Sequence, residues 1–309
     1  MENKKKNRIS GPVLILLAGA FWGSMGLFVR RLNAWGFTSR HVACLRLSVG
    51  ALVFLLLLLL SDRKALRIRL RDLPLFLGLG ILSVLFFTFC YFRAIELMPL
   101  STAAILLYTS PIWVTLMTVL FFREKLSPRR LLALGLAFSG CVLVSGLSGE
   151  PLSPAALLTG LGAGLGYALY SILGTVALRR YPPLAVTTWT FFIAAAGSWF
   201  LCGPASLLAT LRAAPAGELL WLIPCTAVVT AVIPYLAYTG GLQSTEAGRA
   251  AIIATVEPVV ATLLGTLVFQ ETLSLPAALG ILLVLAAIAL LNTGKRQPAE
   301  TPGSDNPED

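Results

Sequence analysis

Residues 91–127, YFRAIELMPLSTAAILLYTSPIWVTLMTVLFFREKLS, return 147 positions later as residues 238–274, YTGGLQSTEAGRAAIIATVEPVVATLLGTLVFQETLS. Twelve of the 37 aligned positions are identical: Tyr91/Tyr238, Ala103/Ala250, Ala104/Ala251, Ile105/Ile252, Pro111/Pro258, Thr115/Thr262, Leu116/Leu263, Leu120/Leu267, Phe122/Phe269, Glu124/Glu271, Leu126/Leu273 and Ser127/Ser274. A Leu- and Ala-rich chain matches itself at roughly one position in ten by chance, so the excess marks an internal duplication. A shift of 145 likewise sets Ala18, Gly19 and Trp22 over Ala163, Gly164 and Tyr167.

The duplicated unit is a membrane unit. Of the 309 residues 57% are hydrophobic and only 12% charged, with a mean hydropathy of +0.84, against roughly 25% charged residues in an ordinary soluble domain. Hydropathy predicts ten apolar segments, near 12–30, 38–60, 73–95, 100–121, 131–147, 155–177, 184–209, 218–240, 247–269 and 275–292. Each is about as long as a helix needs to cross a ~30 Å hydrocarbon core. The expected architecture is an all-α integral membrane protein of ten transmembrane helices. A first repeat of five covers 1–149 and a second covers 150–293, with a disordered tail over 294–309. Because five is odd, the second copy enters the membrane from the opposite side and the repeats are inverted. Two such halves can open a shared cavity first to one side and then to the other.

A net charge of +10 raises the question of nucleic acid, but the placement of the charge answers it. With the N-terminus in the cytosol, Lys4, Lys5, Lys6, Arg8, Arg63, Lys64, Arg67, Arg69, Arg71, Arg123, Lys125, Arg129, Arg130, Arg179, Arg180, Arg249, Lys295 and Arg296 fall inside. Only Arg30, Arg31, Arg40 and Arg212 fall outside. The positive-inside rule then sets a multi-pass protein of the plasma membrane with both termini cytosolic, and makes the basic balance a topology signal. The opening has the Lys-rich start and Ala18-Gly19-Ala20 of a cleavable signal, but its apolar run continues to Val29. That exceeds the 7–15 residues of a typical signal core, so a retained first helix is expected. The five cysteines fall in spans at irregular spacing, and neither a metal pattern nor a cofactor motif is visible.

The paired segments, with a small-residue helix start, a mid-helix proline and a terminal Glu-x-Leu-Ser recurring in order, resemble the drug/metabolite transporter superfamily in its ten-helix form with two EamA domains. The resemblance covers essentially the whole chain. It implies a secondary carrier moving small metabolites or drugs, in many members outward, through a central cavity between the halves. One departure stands out: Glu257 precedes the proline of the second half where the first half has Ser110.

Candidate site residues follow from the cost of polarity in lipid. Pro111 and Pro258 lie about ten residues from either end of spans four and nine, roughly 15 Å deep. Each lacks an N–H, so the carbonyls of Leu107 and Ala254 lose their helical partner, and paired interruptions of this kind mark a transport site. Glu257 lies at the same depth, where an unpaired carboxylate costs at least ~2.5–3.5 kcal/mol, so it must be protonated, paired or facing water. It is expected to bind a substrate cation or to carry a coupled proton. Arg46 in span two is its expected positive counterpart, and Arg93 in span three a further candidate for a substrate anion. Among eight aromatic residues at cavity depth, Trp22, Tyr108, Tyr167 and Tyr238 are the expected lining set. The glycines of span one (Gly19, Gly23, Gly26) and span six (Gly160, Gly162, Gly164, Gly166) permit close helix contact, either around the cavity or between two copies of the chain.

Other functions fit less well. An intramembrane enzyme would need a concentrated polar set, yet the chain has one histidine, no Gly-x-Ser-x-Gly elbow and no phosphate loop. A passive channel has no need of inverted, exchanging halves. The expected partners are therefore a small-molecule substrate and the lipid bilayer, with proton coupling through Glu257 and no nucleic acid. The oligomeric state and the charge of the cargo stay open.

Overall fold

The computed structural model describes residues 10–98, 100–146 and 153–292, and among them every regular element is helical. The tail expected over 294–309 lies outside the described residues, as do Lys4, Lys5, Lys6, Arg8, Lys295 and Arg296 of the charge count. Nine described helices are long and apolar enough to cross a membrane: Gly11–Ala34, Ser39–Ser61, Leu70–Leu97, Thr102–Phe122, Pro128–Ser145, Pro154–Ala177, Pro183–Cys202, Ala216–Leu242 and Ala247–Phe269. A shorter apolar helix, Leu275–Leu291, completes a set of ten spans. Helices are what such composition dictates, since in lipid each backbone polar group must be satisfied within its own segment.

Span seven departs from the expected 184–209. Its helix stops at Cys202, Gly203 takes a left-handed φ of +64°, and Pro204 opens a separate helix, Pro204–Ala213. A left-handed glycine followed by a residue without an N–H ends the hydrogen-bond ladder. Hydropathy runs through this corner because residues 204–209, PASLLA, stay largely apolar.

The duplication is visible atom by atom. Spans four and nine are each broken: Leu100–Leu107 gives way to Ser110–Phe122, and Ala247–Ala254 to Val256–Phe269, with Pro111 and Pro258 in the first turn of the second piece. Both spans end on a left-handed residue, Arg123 (φ +53°) and Gln270 (φ +57°). The next amide then reaches back to a carbonyl six residues earlier, Glu124 N–H to Thr118 O and Glu271 N–H to Gly265 O, each 3.3 Å. The recurring serine caps the following span: Ser127 Oγ accepts from the Arg130 amide (3.2 Å) and Ser274 Oγ from the Ala277 amide (3.3 Å). The Glu-x-Leu-Ser repeat is therefore a helix corner built twice.

The two copies run in opposite directions. Glu124 pairs with Arg130 (2.7 Å), which also reaches Glu246 (3.7 Å) at the head of span nine, whereas Glu271 at the foot of span nine pairs with Arg30 (2.7 Å) at the end of span one. Equivalent carboxylates thus sit at opposite ends of the bundle. Each half's first span packs on the other half's third and fourth: one against eight and nine, six against three and four. Spans two and seven, and five and ten, pair likewise.

Glycine makes the closest of these approaches. A Cβ on Gly19 would sit 3.0 Å from the Ala254 carbonyl at the break of span nine. One on Gly164 would sit 2.5 Å from Thr109 Oγ1 and 2.9 Å from the Leu106 carbonyl at the break of span four. Gly160 and Gly23 face the same two broken helices, while Gly26 faces open space. The small-residue stripes therefore pack the two halves of one chain together. Gly164→Ala should lower stability by roughly 1–3 kcal/mol, the usual cost of overpacking, whereas Gly26→Ala should be neutral or slightly stabilising. Thermal unfolding of the purified variants in one detergent checks this, and equal effects at the two sites would refute the contact.

Candidate functional site

The helix breaks and the close glycine contacts converge on one cleft at mid-span. Trp22 stands one turn beyond Gly19 and Tyr167 one turn beyond Gly164, and their rings meet edge to face at 5.8 Å. Tyr235 and Tyr238 of span eight close on the same indole at 5.3 and 5.4 Å. Phe87 of span three stacks on Tyr91 (5.8 Å) and meets Tyr167 edge to face (5.7 Å). The space left between these rings is about 10 Å³, room for about one water. In this conformation the aromatic side chains occupy most of the volume between the halves.

Two of the tyrosines differ in what their hydroxyls do. Tyr238 is 1% exposed and its hydroxyl is bonded to Ser171 Oγ at 2.8 Å. Tyr167 Oη is buried without a hydrogen-bond partner, and so is Ser83 Oγ on the opposite wall. A buried polar atom without a partner costs about 1–3 kcal/mol. Tyr238 is spent on structure, and Tyr167 keeps its polar capacity.

Glu257 enters at the break of span nine. It lies in the first turn of Val256–Phe269, with its carboxyl within electrostatic reach of Tyr91, Tyr108, Tyr167, Tyr235, Cys141 and Arg46. Tyr167 is the hydroxyl that interacts with it most directly, although no bond closes within 3.5 Å. Among the described residues no cation comes within 4.0 Å of it.

Arg46 is 6% exposed and pairs with no carboxylate among the described residues. Its Nη1 donates instead to the Thr230 carbonyl at 3.3 Å and lies 3.4 Å from Met25 Sδ, while Nε has no partner. The reason lies in span eight. Pro234 has no N–H to offer the carbonyl four residues earlier, which is that of Thr230. This stretch, Val228–Val232, is a π-helix, and its counterpart 147 positions earlier lies within the π-helix Gly78–Leu85 of span three. π-turns are frequent at functional sites, and hydropathy carries no sign of them because the composition stays apolar.

The structure thus brings Trp22, Tyr108, Tyr167, Tyr238, Arg46 and Glu257 to one region, with Pro111 and Pro258 at the breaks that shape it. Arg93 is not among them. It lies at the end of span three, half-exposed, paired with Glu96 at 3.0 Å. Tyr91, Tyr170, Tyr235, Phe87 and Ser83 belong to the cleft but were not in the expected lining set. Tyr91, Tyr170 and Tyr235 were among the eight aromatic residues at cavity depth, whereas Phe87 and Ser83 carried no sequence signal.

This geometry defines a class: helical membrane proteins built from inverted repeats, with a site at the midplane between broken helices. Known proteins give it a family. The EamA-like transporter family matches the chain twice, over residues 9–146 and 154–293, so the chain belongs to that family and is a multi-pass membrane transporter, not an enzyme. A transporter of Archaeoglobus fulgidus, itself uncharacterized, is 31% identical over 286 residues, covering 91% of this chain and 95% of its own length. The pseudopaline exporter CntI of Pseudomonas aeruginosa is 28% identical over 173 residues, 55% of this chain and 57% of its own. A solved crystal structure shares the fold with a TM-score of 0.77 at 18% identity, over 91% of this chain and 95% of that one.

The contrast between the tyrosines is testable. Tyr238→Phe strands Ser171 and should cost roughly 1–3 kcal/mol of stability, whereas Tyr167→Phe removes a hydroxyl whose nearest polar neighbour, the Glu257 carboxyl, lies beyond 3.5 Å, and should cost less. Detergent-solubilised thermal midpoints measure both, and a larger loss for Tyr167→Phe would show that its hydroxyl is bonded after all.

Proposed function

We propose that the protein is a secondary transporter that exports small organic metabolites or drugs across the plasma membrane by alternating access, with both termini in the cytosol. The observation that carries this reading is one carboxyl and one guanidinium at mid-span beside an aromatic cleft, Glu257 half-buried and Arg46 buried, and not paired with each other. Unpaired charges cost several kcal/mol in a bilayer, so a cleft that keeps two of opposite sign is suited to a solute that satisfies them. Export agrees with the name of the Pseudomonas relative, and the basic loops agree with cytosolic termini. The Arg130–Glu246 and Arg180–Asp72 pairs (3.7 and 2.5 Å) at one end, and Arg31–Glu218 and Arg30–Glu271 (2.6 and 2.7 Å) at the other, each join the two halves and are the contacts that would open in turn.

Glu257 is the coupling group in this reading. It takes up a proton when the cleft faces one side and releases it when the cleft faces the other. A stability screen against amino acids, organic cations, carboxylates and nucleotides finds the cargo, since a ligand at 100 times its Kd adds about 2.7 kcal/mol. In proteoliposomes loaded with the compound found, Glu257→Gln should keep counterflow exchange but lose accumulation driven by a pH gradient. Unchanged gradient-driven accumulation in that variant would overturn the coupling role, and conductance at single-channel rates would overturn the carrier.

A further inference from the structure

Arg93 opens a second site. Together with Arg40 it lines a crevice of about 250 Å³ between spans two, three and seven, walled by Leu85, Phe89 and Leu201. The two guanidinium groups share one carboxylate: Arg93 Nη1 lies 3.0 Å from Glu96 Oε2, and Arg40 Nη2 lies 3.9 Å from Glu96 Oε1. All three side chains are about half-exposed, and the cluster carries a net charge of +1. The only other polar side chains on the walls, Thr88 and Ser198, donate their hydroxyl protons to carbonyls of their own helices, Val84 and Ala195. The donors left for a ligand are those of the two arginines.

The crevice continues into an apolar trough of about 520 Å³. Leu85 and Leu201 belong to both, and beyond them the trough is lined by Ile81, Phe192, Ala196 and Phe200, with no charged side chain. From Arg93 back to Ile81 is twelve residues, about 18 Å of helix, slightly more than half of a ~30 Å hydrocarbon core. A charged mouth at the level of the headgroups, followed by an apolar groove one leaflet deep, has the shape of a single phospholipid. We infer that this groove binds an anionic phospholipid, its headgroup on Arg40 and Arg93 and an acyl chain along Leu85, Leu201 and Ala196.

Because recognition rests on two guanidiniums with no ordered hydroxyl donor, selectivity should follow headgroup charge and not headgroup shape. Glu96 is the competitor for those guanidiniums, so removing its charge should tighten binding. None of these residues belongs to the aromatic cleft, and the inference stands whether or not the transport mechanism above is right.

Native mass spectrometry of the full-length protein in detergent, titrated with phosphatidylglycerol, phosphatidylcholine or inorganic phosphate, tests it. Phosphatidylglycerol should bind at least tenfold more tightly than phosphatidylcholine. Arg40→Ala with Arg93→Ala should erase that preference, and Glu96→Gln should enhance it. Ala196→Trp, which fills the trough without touching the arginines, should weaken both lipids. Thermal midpoints in the same detergent confirm that each variant is folded, and loss of binding counts only for folded variants. Equal binding of the two lipids, an unaffected Ala196→Trp variant, or displacement of phosphatidylglycerol by inorganic phosphate at millimolar concentration would overturn the proposal, the last by showing a site for a free anion.

Discussion

The structure depends on two places where a glycine backbone lies directly on a broken helix of the opposite half. A helix interrupted at mid-membrane exposes carbonyls that lipid cannot satisfy, so the break must be covered by protein. Gly164 covers the span-four break at Leu106, and Gly19 covers the span-nine break at Ala254. Lipid supplies no hydrophobic drive between helices, and this kind of backbone contact supplies close packing in its place. The same contacts set the cleft, because Trp22 and Tyr167 stand one turn beyond their glycines and are carried to within 5.8 Å of each other. Neither half can shift without sliding a break past a glycine, so the joint that holds the halves together is also the surface along which they would move.

The repeats agree in backbone and disagree in chemistry, and the disagreements are linked. Where the second half has Pro234, the first has Phe87 with its N–H intact; where the first half has Arg46, the second has Ile193. Arg46 bonds the Thr230 carbonyl that Pro234 cannot reach, and Ile193 packs over Gly80 on the span-three π-helix, where the counterpart proline is missing. An arginine is present at the interface where a carbonyl has lost its donor, and an aliphatic side chain stands where none was lost. Ser110 and Glu257 divide the same way, one neutral and one acidic at equivalent breaks. Divergence has concentrated the charge on the side of the cleft formed by spans two, eight and nine.

Much of this was legible in the sequence because its signals are long or duplicated. Ten spans follow from composition sustained over about 20 residues, and the inverted halves follow from an odd count and a shift of 147. The breaks follow from prolines, whose missing N–H acts wherever they stand. The π-helices were not legible, since an extra residue in a turn leaves no mark on hydropathy, and only Pro234 hinted at one of them. The direction of a side chain on an all-apolar helix was not legible either, which is why Tyr238 entered the expected lining set although its hydroxyl is spent on Ser171, and why Tyr235, at the same depth, was left out of that set. The corner at Gly203 and Pro204 was hidden by apolar residues on both sides.

The two intramembrane arginines show how depth decides what a charge does. Arg46 lies seven residues into span two, about 10 Å along the helix, too deep to hold its guanidinium in water at the near end. It must take its hydrogen bonds from the protein, and the carbonyl at Pro234 provides one. Arg93 lies four residues from the end of span three, about 6 Å, within reach of the boundary. It pairs at the surface with Glu96. Sequence position set both inside a span as candidates for a substrate anion, with Arg46 ranked above Arg93 because Arg93 lies near the outer end, within snorkelling reach. Yet Arg46 has five N–H donors and only Nη1 is engaged with protein acceptors, with Nε buried and unpaired. A guanidinium held in place through one nitrogen, with Nε buried and unpaired, is fixed by the fold with donor capacity left over.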